Sequence, residues 1–230
     1  MKAGSEGPGS GEPRSGRPRP IPRPGHPYLA GSPLLIAHRG GAGLAPENTL
    51  SAFQNAVHEW GADMLEMDVR STLDGEVVVI HDDTVDRTTN GTGRVADLTL
   101  EQLGKLDAGF HFRDPMGVHS FRGNGVTIPR FEEVLDALPG VRMNVEAKDG
   151  RSAPGLVDII LRHGAQDRVL VAAEWERNRR AVIGYPGPWG ASRRDLFRCT
   201  SFLSPSKTVG GVQCPLPLRP LSATVLLPCW

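Results

Sequence analysis

The stretch "MLEMDV", Met64–Val69, decides how this chain reads. Its alternation predicts a β-strand with Leu65, Met67 and Val69 on one face and Met64, Glu66 and Asp68 on the other. The two carboxylates then stand about 7 Å apart along one strand face. Two anions so placed repel each other unless a positive group or ion sits beside them.

The surrounding sequence supplies the frame. "LLIA" at 34–37 is a short apolar run consistent with a buried strand. Over Glu47–Trp60, Leu50, Phe53, Val57 and Trp60 recur three or four apart, which predicts an amphipathic helix with Asn48 as N-cap and Gly61 as its stop. After "MLEMDV" a tight connection leads to "VVVI" at 77–80. "IPRFEEVLDAL" predicts a helix carrying Phe131, Val134, Leu135 and Leu138 on one face. "VRMNVEAK" is a second alternating strand, with Val141, Met143 and Val145 opposite Asn144, Glu146 and Lys148. A helix over 154–163 and a strand over 168–173 follow. Strands alternating with helices predict an α/β fold with a parallel sheet. Polar residues at alternate positions of buried strands need an interior use. A barrel provides one, because inward side chains at its C-terminal strand ends build a site.

The ends differ from the middle. Residues 1–33 are rich in Gly, Pro, Ser and Arg and bury too little apolar surface to offset their ordering entropy, so a disordered leader is expected. Residues 82–125 carry turn residues and one short helical pattern through Leu100, Leu103 and Leu106, as an insertion would. "YPGPWGASRRDLFR" still has room for a strand and the start of a helix. Residues 203–230 show no periodicity and several prolines, which reads as an atypical tail, disordered or out of frame. On that reading the barrel is incomplete at its C-terminus, with apolar strand edges left open.

Composition excludes several classes. With 26 Lys plus Arg against 26 Asp plus Glu, the chain has no net charge to draw it to nucleic acid or anionic membrane. Cys199, Cys214 and Cys229 form no close-spaced metal pair and read as incidental thiols. No apolar run reaches the roughly 18 residues of a membrane helix, and no apolar core follows the basic N-terminus as in a secretory signal. A cytoplasmic location is therefore expected. The Asn90-Gly91-Thr92 sequon is set aside on the same ground.

The chemistry sits at the strand ends. His38 and Arg39 follow "LLIA", Glu66 and Asp68 end "MLEMDV", His81 ends "VVVI", and Glu146 and Lys148 end "VRMNVEA". Singly, each has a structural reading as a packed histidine, a salt-bridged pair or a turn. Four strands in succession with ionisable ends point instead to one cluster. Three converging carboxylates call for a cation, and oxygen-only ligation favours a hard ion, Mg²⁺ or Ca²⁺. His38 and His81 suit general acid–base work near neutral pH, and Arg39 and Lys148 suit a phosphate. The combination points to phosphodiester cleavage. His26, His58, His111, His119 and His163 lack that setting and read as structural or surface residues.

From "HRGGAGLAPENTLSAF" through "EMDVRSTLDGEVVVIHDDTVDRTTNGTG", "DLTLEQLGKLDAG", "IPRFEEVLDALP" and "NVEAK", the chain resembles the glycerophosphodiester phosphodiesterase family of the phospholipase C-like superfamily. The resemblance covers about 34–173 and weakens beyond Trp175. It implies a (β/α)8 TIM barrel, here 34–202 with a small insertion after the third strand. It also implies a metal-dependent enzyme that hydrolyses glycerophosphodiesters to glycerol 3-phosphate and an alcohol. By position, Glu66, Asp68 and Glu146 match the family's ligands for one divalent cation. His38 and His81 match its acid–base pair, and Arg39 and Lys148 its phosphate contacts. Glu47 matches a site carboxylate that ligates the ion or lies just behind the ligands. The implied partner is a small glycerophosphodiester. Three readings follow: an active glycerophosphodiesterase or related lysophospholipase D-type enzyme, a shortened relative that binds metal or ligand without turnover, and a binding protein acting through the arginine-rich leader. Neutral net charge argues against the last.

Overall fold

The computed structural model describes Tyr28, Gly31 and residues 34–190 of the 230-residue chain. The tail over 203–230, the end of the expected barrel at 191–202, most of the leader and all three cysteines lie outside the described residues.

Four parallel strands of a five-stranded sheet, β1 (Ile36–Ala37), β2 (Met64–Ser71), β4 (Arg142–Ala147) and β5 (Val169–Ala172), run in the order β1-β2-β4-β5. A parallel bridge from Val171 to Trp189 starts the next neighbour, within the segment expected to hold a further strand. The register aligns Glu66 with Asn144 and Asp68 with Glu146. In parallel strands this alignment puts side chains of matching parity on one face. Leu65, Met67, Val69, Met143, Val145, Val169 and Val171 are buried on the other, against Phe53 and Ala56 of α1 (Leu50–His58). Phe131, Val134 and Leu135 of α3 (Phe131–Ala137) and Leu156, Ile159 and Ile160 of α4 (Ser152–Arg162) complete this layer. Each fully buried Phe or Leu there contributes about 1.5–3 kcal/mol. A fifth short helix, α5 (Glu176–Arg180), follows β5.

Local detail departs from the sequence pattern at several points. The strand "VVVI", seen as β3 (Val77–Val79), pairs antiparallel with β2 and is not a parallel stave. The reason is the short connection from Ser71, since a parallel crossover needs a dozen or more residues. β3 is apolar throughout because both its faces are covered. Val77 and Val79 join the main core, while Val78 and Ile80 join a second cluster with Val85, Val95, Leu103, Ala108, Val126 and Ile128. Residues 82–125 thus pack onto β3 through this second cluster, which includes Leu103 of α2 (Leu100–Leu103), whose start is held by a Thr99–Gln102 capping box. The N-cap of α1 is Thr49, whose Oγ1 accepts from the Ala52 N–H at 3.2 Å, and not Asn48. Trp60 lies beyond the end of α1 and is 59% exposed, so the apolar stripe ends earlier than its spacing suggested. Tyr28, inside the span read as a leader, is buried, with its hydroxyl 2.9 Å from the Met64 sulfur.

Gly40 holds the turn after β1 against α1. Its φ is +79°, and a Cβ there would stand 2.8 Å from Phe53 Cδ1 and 2.9 Å from Ala52 Cβ. Gly40→Ala therefore adds left-handed strain to overpacking and is expected to cost about 2 kcal/mol, read as a lower urea midpoint. An unchanged midpoint would show that the turn yields freely.

Candidate active site

β2 and β4 bring the three expected carboxylates together. Single oxygens of Glu66, Asp68 and Glu146 all lie within 4.8 Å of one another, which no other group achieves among the described residues. At that separation each pair repels by about 3 kcal/mol for an effective dielectric near 20. Side-chain cations offset part of this. Lys148 Nζ stands 3.0 Å from Asp68 Oδ1 and 2.9 Å from Glu146 Oε2. Arg39 donates its backbone N–H to Glu66 Oε2 at 3.0 Å. Its Nε is 3.3 Å from Asp68 Oδ2 but misaligned for a hydrogen bond, so that contact is Coulombic only. Lys148 keeps its proton firmly: burial opposes the charge, but Asp68 and then Glu146 outweigh it.

The set remains short of positive charge. Glu146 Oε1 is buried and has no hydrogen-bond partner. Burial, then the neighbouring Asp68 carboxylate, pushes Glu66 up to about 7. A buried oxygen without a donor beside a reluctant anion suits a hard divalent cation, for which Glu66, Asp68 and Glu146 are the available ligands.

The histidines flank this cluster. His38 follows β1 directly, with Nε2 3.8 Å from Glu66 Oε2. Burial, then Arg39, lowers its pKa. His81 arrives by the hairpin: β3 runs back along β2 until the Ile80 N–H donates to the Asp68 carbonyl at 2.9 Å. His81 Nδ1 lies 2.7 Å from Asp82 Oδ1.

Two residues escaped sequence reasoning here. Asn48, buried at φ +57°, donates Nδ2 to Asp68 Oδ2 at 3.1 Å and presents Oδ1 toward the Asp68 N–H at 3.4 Å. Its place next to a helix start imitates an N-cap, and its only distinguishing sign is that Asn tolerates a left-handed backbone. Arg87, in the insertion, donates Nη1 and Nη2 to Glu47 at 2.9 and 2.7 Å and Nε to Asp82 Oδ2 at 2.6 Å. Glu47 also accepts from Arg39 Nη1 at 3.0 Å and stands outside the three-carboxylate cluster, with both oxygens engaged.

These ties set a pH dependence. Burial alone would raise Glu47, but hydrogen bonds and charge from Arg87, then Arg39, hold its pKa below the ordinary 4.5. A carboxyl depressed on folding stabilises the protein above its unfolded value and loses that stability as pH falls through the folded one. The urea midpoint should therefore decline as pH drops below about 4.5, and Glu47→Gln should flatten that decline. An equally steep loss in the variant would assign the acid sensitivity elsewhere.

The model of the glycerophosphoryl diester phosphodiesterase family matches residues 38–192. A glycerophosphodiester phosphodiesterase of Caldanaerobacter subterraneus is 42% identical over 153 residues, covering 65% of this chain and 56% of that protein. Human glycerophosphodiester phosphodiesterase 1 is 54% identical over 78 residues, 34% of this chain and 23% of that protein. The chain thus spans less than two thirds of the length of these curated relatives. The crystal structure of the glycerophosphoryl diester phosphodiesterase domain of a Mycobacterium tuberculosis protein superposes with a TM-score of 0.67 at 29% identity, over 74% of this chain and 63% of that one. A phosphodiesterase of Oleispira antarctica, in complex with the product sn-glycerol-3-phosphate, gives 0.61 at 29% identity, over 69% and 65%. The fold is of the (β/α)8 TIM-barrel class. No helix among the described residues is long and apolar enough to cross a membrane.

Proposed function

We propose, from the premise that this chain belongs to the glycerophosphoryl diester phosphodiesterase family, that it hydrolyses glycerophosphodiesters to glycerol 3-phosphate and an alcohol. The observation that carries this reading is the meeting of Glu66, Asp68 and Glu146 within 4.8 Å, with Arg39, Lys148 and His38 beside them and His81 following Ile80, whose N–H donates to the Asp68 carbonyl.

Glu66, Asp68 and Glu146 are the residues that would hold one divalent cation, Mg²⁺ or Ca²⁺. When bound, such an ion supplies Lewis-acid stabilisation of negative charge on phosphate oxygen. Arg39 and Lys148 hold the phosphate oxygens and offset charge as the P–O bond breaks. They already lie against the carboxylates, so they sit where a phosphate would be drawn. The charge balance agrees: three carboxylates and two cations leave one negative charge, and a divalent ion with a singly charged phosphodiester neutralises it.

The reaction proceeds in two transfers. His38 takes the proton of the substrate's own glycerol hydroxyl as its oxygen attacks phosphorus. His81 gives a proton to the departing alcohol oxygen, leaving a cyclic phosphate. Water then opens the ring: His81, now neutral, takes the water proton and His38 returns one to the glycerol oxygen. The assignment rests on Asp82, whose carboxylate 2.7 Å from Nδ1 orients the His81 ring so that Nε2 is the nitrogen turned to the departing oxygen. The product named for the Oleispira enzyme fits this outcome.

The deciding measurement is choline release from glycerophosphocholine by this chain. Turnover that stops with chelator and returns with Mg²⁺ or Ca²⁺ is expected, and the better-restoring ion identifies the cofactor. Turnover indifferent to chelator, or none with either ion, would overturn the reading.

A further inference from the structure

We propose that Arg87 is a positioning residue for this reaction: one guanidinium from the insertion holds Asp82 behind His81 and Glu47 behind Arg39, and so sets the acid–base imidazole and a phosphate-facing cation together. The proposal rests on the phosphodiesterase reading for what His81 and Arg39 do. Its geometry stands independently.

The chain of contacts is continuous. His81 Nδ1 lies 2.7 Å from Asp82 Oδ1, and Asp82 Oδ2 accepts from Arg87 Nε at 2.6 Å. Arg87 Nη1 and Nη2 then fork onto both Glu47 oxygens, and Glu47 Oε1 accepts from Arg39 Nη1 at 3.0 Å. Glu47 and Arg87 are 40 residues apart, so Arg87 fastens the insertion to the loop before α1. The turn that carries Arg87 is itself held. Asp86 accepts from Thr92 Oγ1 at 2.7 Å and from the Gly93 N–H at 3.0 Å, and buried Thr89 donates to the Val85 carbonyl at 2.8 Å.

The consequence for His81 is a defined tautomer. Asp82, tied to Arg87, is an acceptor only, so it keeps a hydrogen on Nδ1 in both steps, and Nε2 is the nitrogen that gives the proton to the leaving oxygen and, once neutral, takes one from water. An arginine is needed because three of its nitrogens serve two carboxylates in one plane, which the point charge of a lysine cannot do. The contribution of Arg87 to stability is modest, because its side chain is 48% exposed, where ion pairs are screened and weak.

The test compares the full chain with Arg87→Ala and Arg87→Lys. Long-range ¹H–¹⁵N spectra of the neutral ring, with the His81 signal assigned by His81→Gln, should show the Nδ1–H form in the unsubstituted protein and a shift toward Nε2–H in both variants. On glycerophosphocholine with divalent cation, kcat should fall about 10–100-fold in Arg87→Ala. Added guanidinium should restore part of that loss, and lysine should restore little. An unchanged His81 tautomer in Arg87→Ala, or an unchanged kcat beside a changed tautomer, overturns the proposal. If the unsubstituted chain turns over nothing, the phosphodiesterase reading fails, and the tautomer comparison alone decides whether Arg87 positions His81.

Discussion

His81→Ala is expected to lower kcat on glycerophosphocholine by about 10²–10⁴-fold with little change in KM, and His38→Ala to do the same. Both follow from the two proton transfers, because each half of the reaction uses both rings. Neither substitution should harm the fold, since the His38 and His81 side chains are 38% and 31% exposed and belong to neither core cluster. The leaving group separates the two roles. A substrate with an acidic leaving alcohol such as p-nitrophenol needs no proton on departure, so it should rescue the first step in His81→Ala much more than in His38→Ala. Equal rescue of both variants would undo the assignment of donor and acceptor. Full turnover in either would remove that histidine from the mechanism.

Asp68→Asn should have the largest combined effect. Asp68 is the most buried of the three carboxylates, with a side chain 2% exposed, and it gathers Lys148, Arg39 and the Asn48 amide. Breaking a buried ion pair by removing one partner costs about 3–5 kcal/mol. Because Lys148 keeps Glu146, Arg39 keeps Glu47, and the substitution also relieves the repulsion of Asp68 with Glu66 and Glu146, a loss below about 3 kcal/mol is expected in urea unfolding without metal. The second effect concerns the cation. A ligand at about 100 times its Kd stabilises a protein by about 2.7 kcal/mol, so Mg²⁺ or Ca²⁺ should raise the melting temperature of the unsubstituted chain. In Asp68→Asn that rise should vanish. A variant stabilised by the ion as strongly as the parent would place the cation elsewhere.

The candidate site was legible to the extent that it depends on short-range pattern. Alternation alone puts Glu66 with Asp68, and Glu146 with Asn144 and Lys148, on single strand faces. Residues just after apolar runs, such as His38 and Arg39, fall at strand ends by the same logic. Asn48 was misread because a polar residue before an apolar periodic run looks the same whether it caps the helix or turns back to a neighbouring strand. Thr49, one residue on, took the cap. Arg87 was not singled out at all. An arginine in a turn-rich segment carries no local sign of the two carboxylates it will meet, one of them 40 residues away.

The sequence by itself determined that strands and helices alternate, which strand faces are apolar, and which side chains are available for metal, proton transfer and phosphate. These follow from periodicities of two and 3.6 residues, which are properties of neighbouring positions. Tertiary structure alone decided the rest. It turned β3 antiparallel, so that His81 returns beside Asp68 instead of ending a stave of its own. It aligned Asp68 with Glu146 across 78 positions and closed Arg87 on Asp82 and Glu47. Such placements depend on strand register and on which loops the packed cores bring face to face. Energies summed over the whole sheet set them, and no single stretch of chain encodes them.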